Sequence, residues 1–113
     1  MDKVSVIIRN KNESRFIGFA LQSVCEHLPN SNVVVVDDNS LDDSMDIVKM
    51  FNTRLNIKTI KIDDYSPGKA LNIAINYCQH ETILILSAHA QIVKMDLRSV
   101  KKKLKKIAAV FGN

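Results

Sequence analysis

The side chains that could do chemistry in this sequence are gathered in short polar clusters, each placed directly after an apolar run. The first cluster is basic and rich in amides, the next two are acidic, and the last combines a hydroxyl with an imidazole. Their members are Arg9, Asn10, Lys11 and Asn12; Asp37 and Asp38; Asp63 and Asp64; and Ser87 and His89. Charged and amide groups form the strong hydrogen bonds that hold polar ligands. The clusters therefore predict a polar binding site, provided that the fold brings them together.

The acidic pair at 37–38 has two roles open to it on the residues alone. Asp38 can accept a hydrogen bond from an N–H group or from a ribose hydroxyl of a nucleotide, or its carboxylate can cap the next helix and interact with the helix dipole. The glycine-rich phosphate-binding patterns are missing, since the sequence has neither G-x-G-x-x-G nor G-x-x-x-x-G-K-[ST]. The dinucleotide fingerprint and the P-loop are therefore both excluded.

The elements that must position these clusters alternate between strands and helices. Apolar, β-branched runs predict strands at residues 3–8, 33–36, 57–62 and 82–86, and a short apolar stretch predicts a fifth at 107–111. Helix-start signals lie between the strands: Asn12 as an N-cap, Ser40 and Asp43 as an approximate capping box, and Ser66 before Pro67. We therefore predict an α/β fold with a doubly wound, mostly parallel sheet in a single domain, residues 1–113. In such sheets ligands bind outside the carboxyl ends of the strands, where the polar clusters follow.

The length and composition are those of one globular domain without a bilayer-spanning segment. The chain has 113 residues, of which 46% are hydrophobic and 25% charged, and no apolar run approaches the roughly 18–20 residues that cross a membrane. The first residues lack the pattern of a secretory signal, so we expect a cytoplasmic protein. Cys25 and Cys78 have no metal-ligand spacing, which indicates small core side chains in a reducing compartment.

The net charge of +4 arises in one segment, residues 98–106. Six of the sixteen basic residues lie there without an acidic residue, which leaves ten basic against twelve acidic residues elsewhere. An apolar stripe at helical spacing accompanies them, formed by Leu97, Val100, Leu104 and Ile107. The basic face of this predicted helix is either a solvated surface or a site of peripheral contact with an anionic membrane or an acidic partner. Nucleic-acid binding is not expected, because no aromatic residues are interleaved to stack on bases.

Four segments, in this order and spacing, resemble the nucleotide-binding half of family 2 glycosyltransferases of the GT-A fold. They are the strand VSVII, the pair Asn12-Glu13, the stretch VVVVDDNSLDDS at 33–44 and SPGKALNIAI at 66–75. The resemblance covers nearly the whole chain, and its most specific element is residues 35–44. It implies binding of a nucleotide-diphosphate sugar donor and transfer of the sugar to a polysaccharide or glycolipid acceptor.

The resemblance also implies which residues bind the nucleotide. They are Arg9, Asn10, Asn12, Glu13, Asp37, Asp38, Gly68, Lys69 and Asn72. Within this set the resemblance places Asp38 against the base or ribose, while Asp37 serves the start of the next helix. Lys69 would contact the base or the diphosphate, and the alternative for Lys69 is an ordinary exposed lysine at a helix start.

Two departures from the family pattern modify this interpretation. Family members typically end the fourth strand with Asp-x-Asp, whose carboxylates hold a Mg²⁺ or Mn²⁺ ion on the diphosphate, whereas this sequence has Ser87-Ala88-His89. That triplet is similar to a subset of polysaccharide-assembly members. It implies weakened divalent-ion binding, with His89 either ligating a metal or meeting the diphosphate as imidazolium. The acceptor-binding half, which carries the catalytic base in the family, has no counterpart here, so no catalytic residue is predicted and we expect part of a longer enzyme or a stand-alone donor-binding domain.

Two other functions compete with the glycosyltransferase interpretation. A non-catalytic nucleotide-binding module would keep donor affinity without transfer. A phosphoacceptor receiver domain shares the fold class, but it needs its acidic pair after the first strand, and here the pair follows the second. A strand at 107–111 would also leave a sheet edge through which the chain could form a homo-oligomer.

Overall fold

The computed structural model describes residues 3–63, 66–88 and 107–110, in which strands and helices alternate up to the fourth strand. The elements in chain order are β1 (Ser5–Asn10), α1 (Ile17–His27), β2 (Asn32–Asp37), α2 (Ser44–Met50), β3 (Asn56–Lys61), α3 (Pro67–Ile75), β4 (Ile83–Ser87) and β5 (Ile107–Val110). The strands form one five-stranded sheet in the order β3-β2-β1-β4-β5, and every neighbouring pair is parallel. The predicted doubly wound α/β fold and the predicted fifth strand are confirmed.

The two central strands β1 and β2 are buried on both faces, as their unbroken β-branched runs predict. Successive residues of a strand point to opposite faces, so two apolar clusters form. One cluster joins Val6 and Ile8 to α1 and α2, and the other joins Ile7 to Ala70 and Ala74 of α3. Because these isoleucines are fully buried, truncating either to alanine would cost about 2–5 kcal/mol. Helices therefore cover both faces of the sheet.

The strand order creates a point where the chain reverses its direction across the sheet. From β1 the chain steps outward to β2 and then β3, and it returns to the other side of β1 to form β4. In doubly wound sheets a crevice forms outside the carboxyl ends of the strands at such a switch point, which here lies between β1 and β4. This is the place at which doubly wound sheets bind their ligands.

Several predicted boundaries were wrong by a few residues, and Asn12 is not the N-cap that was predicted for the first helix. Strand β1 runs two residues further than predicted, so Arg9 and Asn10 belong to the strand. Helix α1 begins at Ile17, not after Asn12, because Asn12 adopts a left-handed backbone conformation (φ 52°) that a helix start does not use. Ile107, predicted at the end of a basic helix, lies in β5. The rest of that predicted helix, including residues 98–106, lies outside the described residues.

The predicted caps of the other two helices had different outcomes. The Ser40–Asp43 capping box is wrong: α2 starts at Ser44 without a side-chain cap, and the Ser40 hydroxyl is engaged elsewhere. The start of α3 is confirmed, since the Ser66 hydroxyl accepts a hydrogen bond from the Lys69 backbone N–H at 3.2 Å. Cys25 and Cys78 are free and half-buried against the two apolar clusters, and burial raises the pKa of both thiols. They are therefore core side chains, as predicted.

A buried polar network ties together the amino-terminal edge of the sheet, opposite the crevice. The Ser5 hydroxyl donates to the side-chain carbonyl of Asn32 and accepts from the backbone N–H groups of Gln79 (3.1 Å) and His80 (3.0 Å). The Asn32 carbonyl accepts from Gln79 as well. The α3–β4 loop is thereby fixed to β1 and β2. None of the described helices is long and apolar enough to cross a bilayer.

Candidate functional site

A cavity of about 400 Å³ opens at the carboxyl edge of the sheet, at the crevice between β1 and β4. Its described lining comes from the ends of both strands and from the loops after β1 and β2: Arg9, Asn10, Lys11, Glu13, Asp38, Ser87 and Ala88. Two cations, two carboxylates, an amide and a hydroxyl thus surround one space. The structure brings together three of the four polar clusters that the sequence singled out, as the doubly wound topology requires.

Asp38 offers a carboxylate to this cavity from the loop after β2. Its backbone N–H donates to the Asn10 carbonyl at 3.0 Å, which fixes the residue against the end of β1. Its side chain is only 14% exposed and lies 3.4 Å from the ammonium of Lys11, whose side chain is 65% exposed. Because one partner is largely solvated, this ion pair contributes little to stability. Its effect is to place opposite charges side by side at the cavity wall.

Asp37 faces away from the cavity and organises the loop behind it. Its carboxylate accepts hydrogen bonds from the Asn10 amide (3.0 Å), from the Ser40 backbone N–H (3.1 Å) and from the Ser40 hydroxyl (2.5 Å). The same Asn10 amide nitrogen lies 2.9 Å from the Ser44 hydroxyl at the start of α2. The side-chain amide oxygen of Asn10, in contrast, is buried and has no hydrogen-bond partner among the residues that the structure describes. Asp37 therefore holds the strand-to-helix loop, and it is absent from the described lining.

Asn12 joins the loop after β1 to the loop after β2. Its side-chain oxygen accepts from the backbone N–H groups of Leu41 (2.7 Å) and Asp42 (3.3 Å), while its own backbone N–H donates to the Ser40 hydroxyl (2.9 Å). Asp42 connects the same two loops a second time, because its carboxylate accepts a hydrogen bond from the Ser14 backbone N–H at 3.0 Å. These bonds form a two-loop clamp, made by Asn12, Ser40 and Asp42. Asn12 is thus occupied with backbone groups and is absent from the described lining of the cavity.

Asp42 is the clamp residue that the sequence analysis missed. Hydrogen bonds from Ser44 and Ser14 lower its pKa to about 2, although the carboxylate is not buried. An Asp followed two residues later by Ser at a helix start is a known local turn pattern, so a signal was present. The sequence offered no means of finding its bond to Ser14, which lies 28 positions away.

The third predicted group, at the start of α3, does not reach the described lining. Gly68, Lys69 and Asn72 are exposed, and the Lys69 ammonium donates to the Asp63 backbone carbonyl at 3.2 Å. The alternative of an exposed helix-start lysine thus fits the geometry of Lys69. Of the Ser87-Ala88-His89 triplet, Ser87 ends β4 and lines the cavity beside the buried Ala88. His89 lies outside the described residues.

The fold and the cavity define an α/β domain of the doubly wound class whose ligand crevice is polar and charged. Residues 5–113 match the sequence profile of the family described as Glycosyl transferase family 2. The chain belongs to this family, and its fold is the GT-A type that the sequence resemblance implied.

The relatives agree with this assignment. Poly(ribitol-phosphate) β-N-acetylglucosaminyltransferase TarS of Staphylococcus aureus is 33% identical over 103 residues, which are 87% of this chain and 18% of TarS. An uncharacterized glycosyltransferase of Nostoc is 32% identical over 89 residues, covering 76% of this chain and 28% of that protein. The chain thus spans less than a third of either relative.

Two solved structures show the same fold. The structure of S. aureus TarS residues 1–349 with UDP has a TM-score of 0.77 and 28% identity, covering 92% of this chain and 32% of that one. The mannosyltransferase PcManGT of Pyrobaculum calidifontis, solved with GDP-Man and Mn²⁺, has a TM-score of 0.73 and 26% identity, covering 80% and 28%.

The described lining offers two carboxylates, Glu13 and Asp38, which are fewer ligands than a divalent ion such as Mn²⁺ or Mg²⁺ takes. These ions prefer several oxygen ligands, chiefly carboxylates. Among residues 3–63, 66–88 and 107–110, no group of three or more His, Cys, Asp or Glu side chains is placed to hold a metal. In the cavity Asp38 is already paired with Lys11, and the Arg9 guanidinium is a second cation there. The donor set of the described residues therefore disagrees with a metal site of the Asp-x-Asp kind.

Proposed function

We propose that this chain binds the nucleotide-diphosphate sugar donor of a family 2 glycosyltransferase whose acceptor is a polysaccharide or glycolipid. The observation that carries the proposal is the cavity at the ends of β1 and β4, with Asp38 set in its wall. A cavity of about 400 Å³ is within the size range of small-molecule sites. Its mixed charges suit a ligand that carries both hydrogen-bonding groups and phosphates.

In this proposal Asp38 recognises the nucleoside. Its carboxylate is mostly buried and acceptor-only, so a ribose hydroxyl or a base N–H is the partner that it would take. Asn10, Lys11 and Glu13 line the same wall, whereas Asp37 and the two-loop clamp act behind it. No described residue is proposed as the catalytic base.

The relatives support this choice of ligand class. TarS has been solved with UDP and with UDP-GlcNAc, and PcManGT with GDP-Man. The name of TarS gives a polymer, poly(ribitol-phosphate), as its acceptor. These ligands belong to the relatives, and they make UDP and GDP the first probes for this chain.

The direct test is calorimetric titration of the purified chain with UDP, GDP and dTDP. We expect at least one of them to bind, and Asp38→Asn to weaken its affinity by about 1–3 kcal/mol because a buried hydrogen bond is lost. Glu26→Gln is the matched control, since Glu26 is an exposed carboxylate on α1 whose partner is Gln22. Absence of binding by all three nucleotides at millimolar concentration would refute the donor site.

A second measurement separates an enzyme from a binding module. Release of UDP from UDP-GlcNAc, or of GDP from GDP-Man, by the chain in water indicates a transfer site that accepts water in place of the acceptor. Binding of the donor without release of the nucleotide indicates a non-catalytic module.

Peripheral membrane contact through residues 98–106 stays a prediction that rests on the sequence. Six basic residues attract anionic lipid headgroups, by about 1 kcal/mol each near the surface. We expect the chain to sediment with vesicles containing phosphatidylglycerol and not with pure phosphatidylcholine. Replacing Lys101, Lys102 and Lys103 by Gln should abolish that sedimentation. A homo-oligomer and a cytoplasmic location are likewise predictions.

A further inference from the structure

The arginine near the end of β1 lies beside Ser87, the position at which the sequence resemblance implies a metal-binding carboxylate. In the parallel pairing of β1 with β4, Arg9 is opposite Ser87. Paired residues of neighbouring strands project from the same face of the sheet, with backbones about 4.8 Å apart. Both residues line the cavity, and Arg9 is half-buried. A guanidinium and a hydroxyl thus line one cavity from neighbouring strand ends.

A cation at this place has two consequences. It opposes the binding of a second cation, because like charges at short range in a partly buried site repel each other. It also supplies what the metal supplies to a diphosphate, namely positive charge close to the phosphate oxygens. Arginine adds a planar fork of N–H donors that matches two phosphate oxygens at once.

We propose that Arg9 is the diphosphate-binding residue of this domain and takes the place of the divalent ion that Asp-x-Asp members use. The inference rests on the proposed donor site. It assigns the nucleoside to the wall that holds Asp38, and the diphosphate to the side on which Arg9 and Ser87 lie. Ser87 contributes its hydroxyl as a further donor to the phosphate oxygens.

The other cations near the cavity are poorer candidates for this role. The Lys11 side chain is 65% exposed beside Asp38, whereas Arg9 is half-buried, so solvent screens the charge of Lys11 more strongly. Lys69 donates to the Asp63 carbonyl and is absent from the described lining. Arg9 is held on a strand by pairing to β2 and to β4, which fixes its backbone in one position.

The experiment measures how much the two phosphates add to affinity. Dissociation constants for uridine, UMP and UDP are determined by calorimetry in EDTA and again with Mn²⁺. The dissociation constant for uridine divided by that for UDP measures how much affinity the diphosphate adds, and we call this ratio the diphosphate gain. If GDP binds more tightly than UDP, the guanosine series replaces the uridine series.

The variants are Arg9→Gln, which removes the charge, and Arg9→Lys, which keeps the charge without the fork. Lys11→Gln tests the neighbouring cation, and Arg54→Gln, at an exposed arginine beside Phe51, controls for net charge.

We expect the diphosphate gain to persist in EDTA and to change less than about threefold with Mn²⁺. Arg9→Gln should lower it by about tenfold or more, since charge-assisted hydrogen bonds contribute about 1.5–3 kcal/mol. Arg9→Lys should keep part of the gain, and uridine affinity should stay unchanged in both variants. If Arg9→Gln does not fold, the chelator comparison and Arg9→Lys decide the question.

Three results would overturn the inference while leaving the donor site intact. They are loss of the gain in EDTA, an unchanged gain in Arg9→Gln, and a loss that occurs in Lys11→Gln instead. Failure of every nucleoside and nucleotide to bind at millimolar concentration would refute the donor site itself, and this inference with it.

Discussion

The two-loop clamp makes a quantitative prediction at Asn12, where a side chain and a backbone conformation contribute separately to stability. The side-chain oxygen accepts two backbone hydrogen bonds, from Leu41 and Asp42, and the residue has φ 52°. Asn12→Gly removes the two side-chain hydrogen bonds, and glycine adopts the left-handed backbone without steric cost. Asn12→Ala removes the bonds and keeps a Cβ in that conformation without the polar side chain that lets asparagine adopt it.

The expected magnitudes follow from these two differences. Two net hydrogen bonds at an exposed position contribute at the low end of the usual range, about 1 kcal/mol together, so Asn12→Gly should lower the free energy of unfolding by about that amount. Alanine at positive φ costs about 1 kcal/mol more than glycine or asparagine, which both adopt the left-handed region readily, so Asn12→Ala should lose about 2 kcal/mol. Asn12→Asp keeps an acceptor and should stay close to the parent.

Asn39 supplies the matched control within the same chain. It also has positive φ (49°) and is exposed, but among the described residues its side chain donates one hydrogen bond, to the Asp63 carboxylate at 3.0 Å. We expect the same difference of about 1 kcal/mol between its Ala and Gly variants, with a smaller loss in Asn39→Gly than in Asn12→Gly. Urea unfolding followed by circular dichroism measures all of these variants. Equal losses in Asn12→Ala and Asn12→Gly would refute the backbone argument, and a fully stable Asn12→Gly would refute the clamp.

Three further predictions concern the other polar networks. Because hydrogen bonds lower the pKa of Asp42 to about 2, its stabilising effect is present above its unfolded pKa of about 3.9 and is lost as pH falls towards 2; thermal melts from pH 2 to 6 should therefore fall less steeply in Asp42→Asn than in the parent. Ser5→Ala removes the described acceptor of the His80 backbone N–H and one of the two acceptors of the Gln79 N–H, and it should lower the urea-unfolding free energy by about 2 kcal/mol, with nucleotide affinity at the opposite edge unchanged. Asp37→Asn should cost more stability than Asp38→Asn and less nucleotide affinity, and the reverse order in paired melting and titration experiments would contradict the separate roles of the two carboxylates.

Most of the fold could be predicted from the sequence because it depends on patterns that are local. The β-branched runs of β1 and β2 are nearly continuous, and a strand covered on both faces produces that pattern. Alternation with helices then leaves few topologies, and the handedness of crossovers selects among them. The start of α3 was predictable as well, because Ser66 and Pro67 act within one helical turn.

The misplaced caps had a common physical cause. Asn12 and Ser40 are residue types that favour helix starts, and each has helix-forming sequence after it. In the structure they bond across the two loops, Asn12 to Leu41 and Ser40 to Asn12. A side chain that caps locally and one that reaches a distant loop have the same sequence signature. Only the pairing of β1 with β2, which brings the loops together, distinguishes them.

The separation of Asp37 from Asp38 shows why site residues are harder to assign than elements. The two carboxylates are adjacent in sequence, and the residues alone left both roles open. Asp37 is the last residue of β2, in register with Asn10, and its side chain lies with Asn10 and Ser40 behind the cavity. Asp38 is the next residue, and because side chains alternate between faces at a strand end, it turns into the cavity wall. A shift of the β1–β2 register by one residue would exchange the two environments. The sequence leaves this register ambiguous, because buried valines lie on both faces of β2. The register therefore determines which aspartate stabilises the loop and which one lines the cavity.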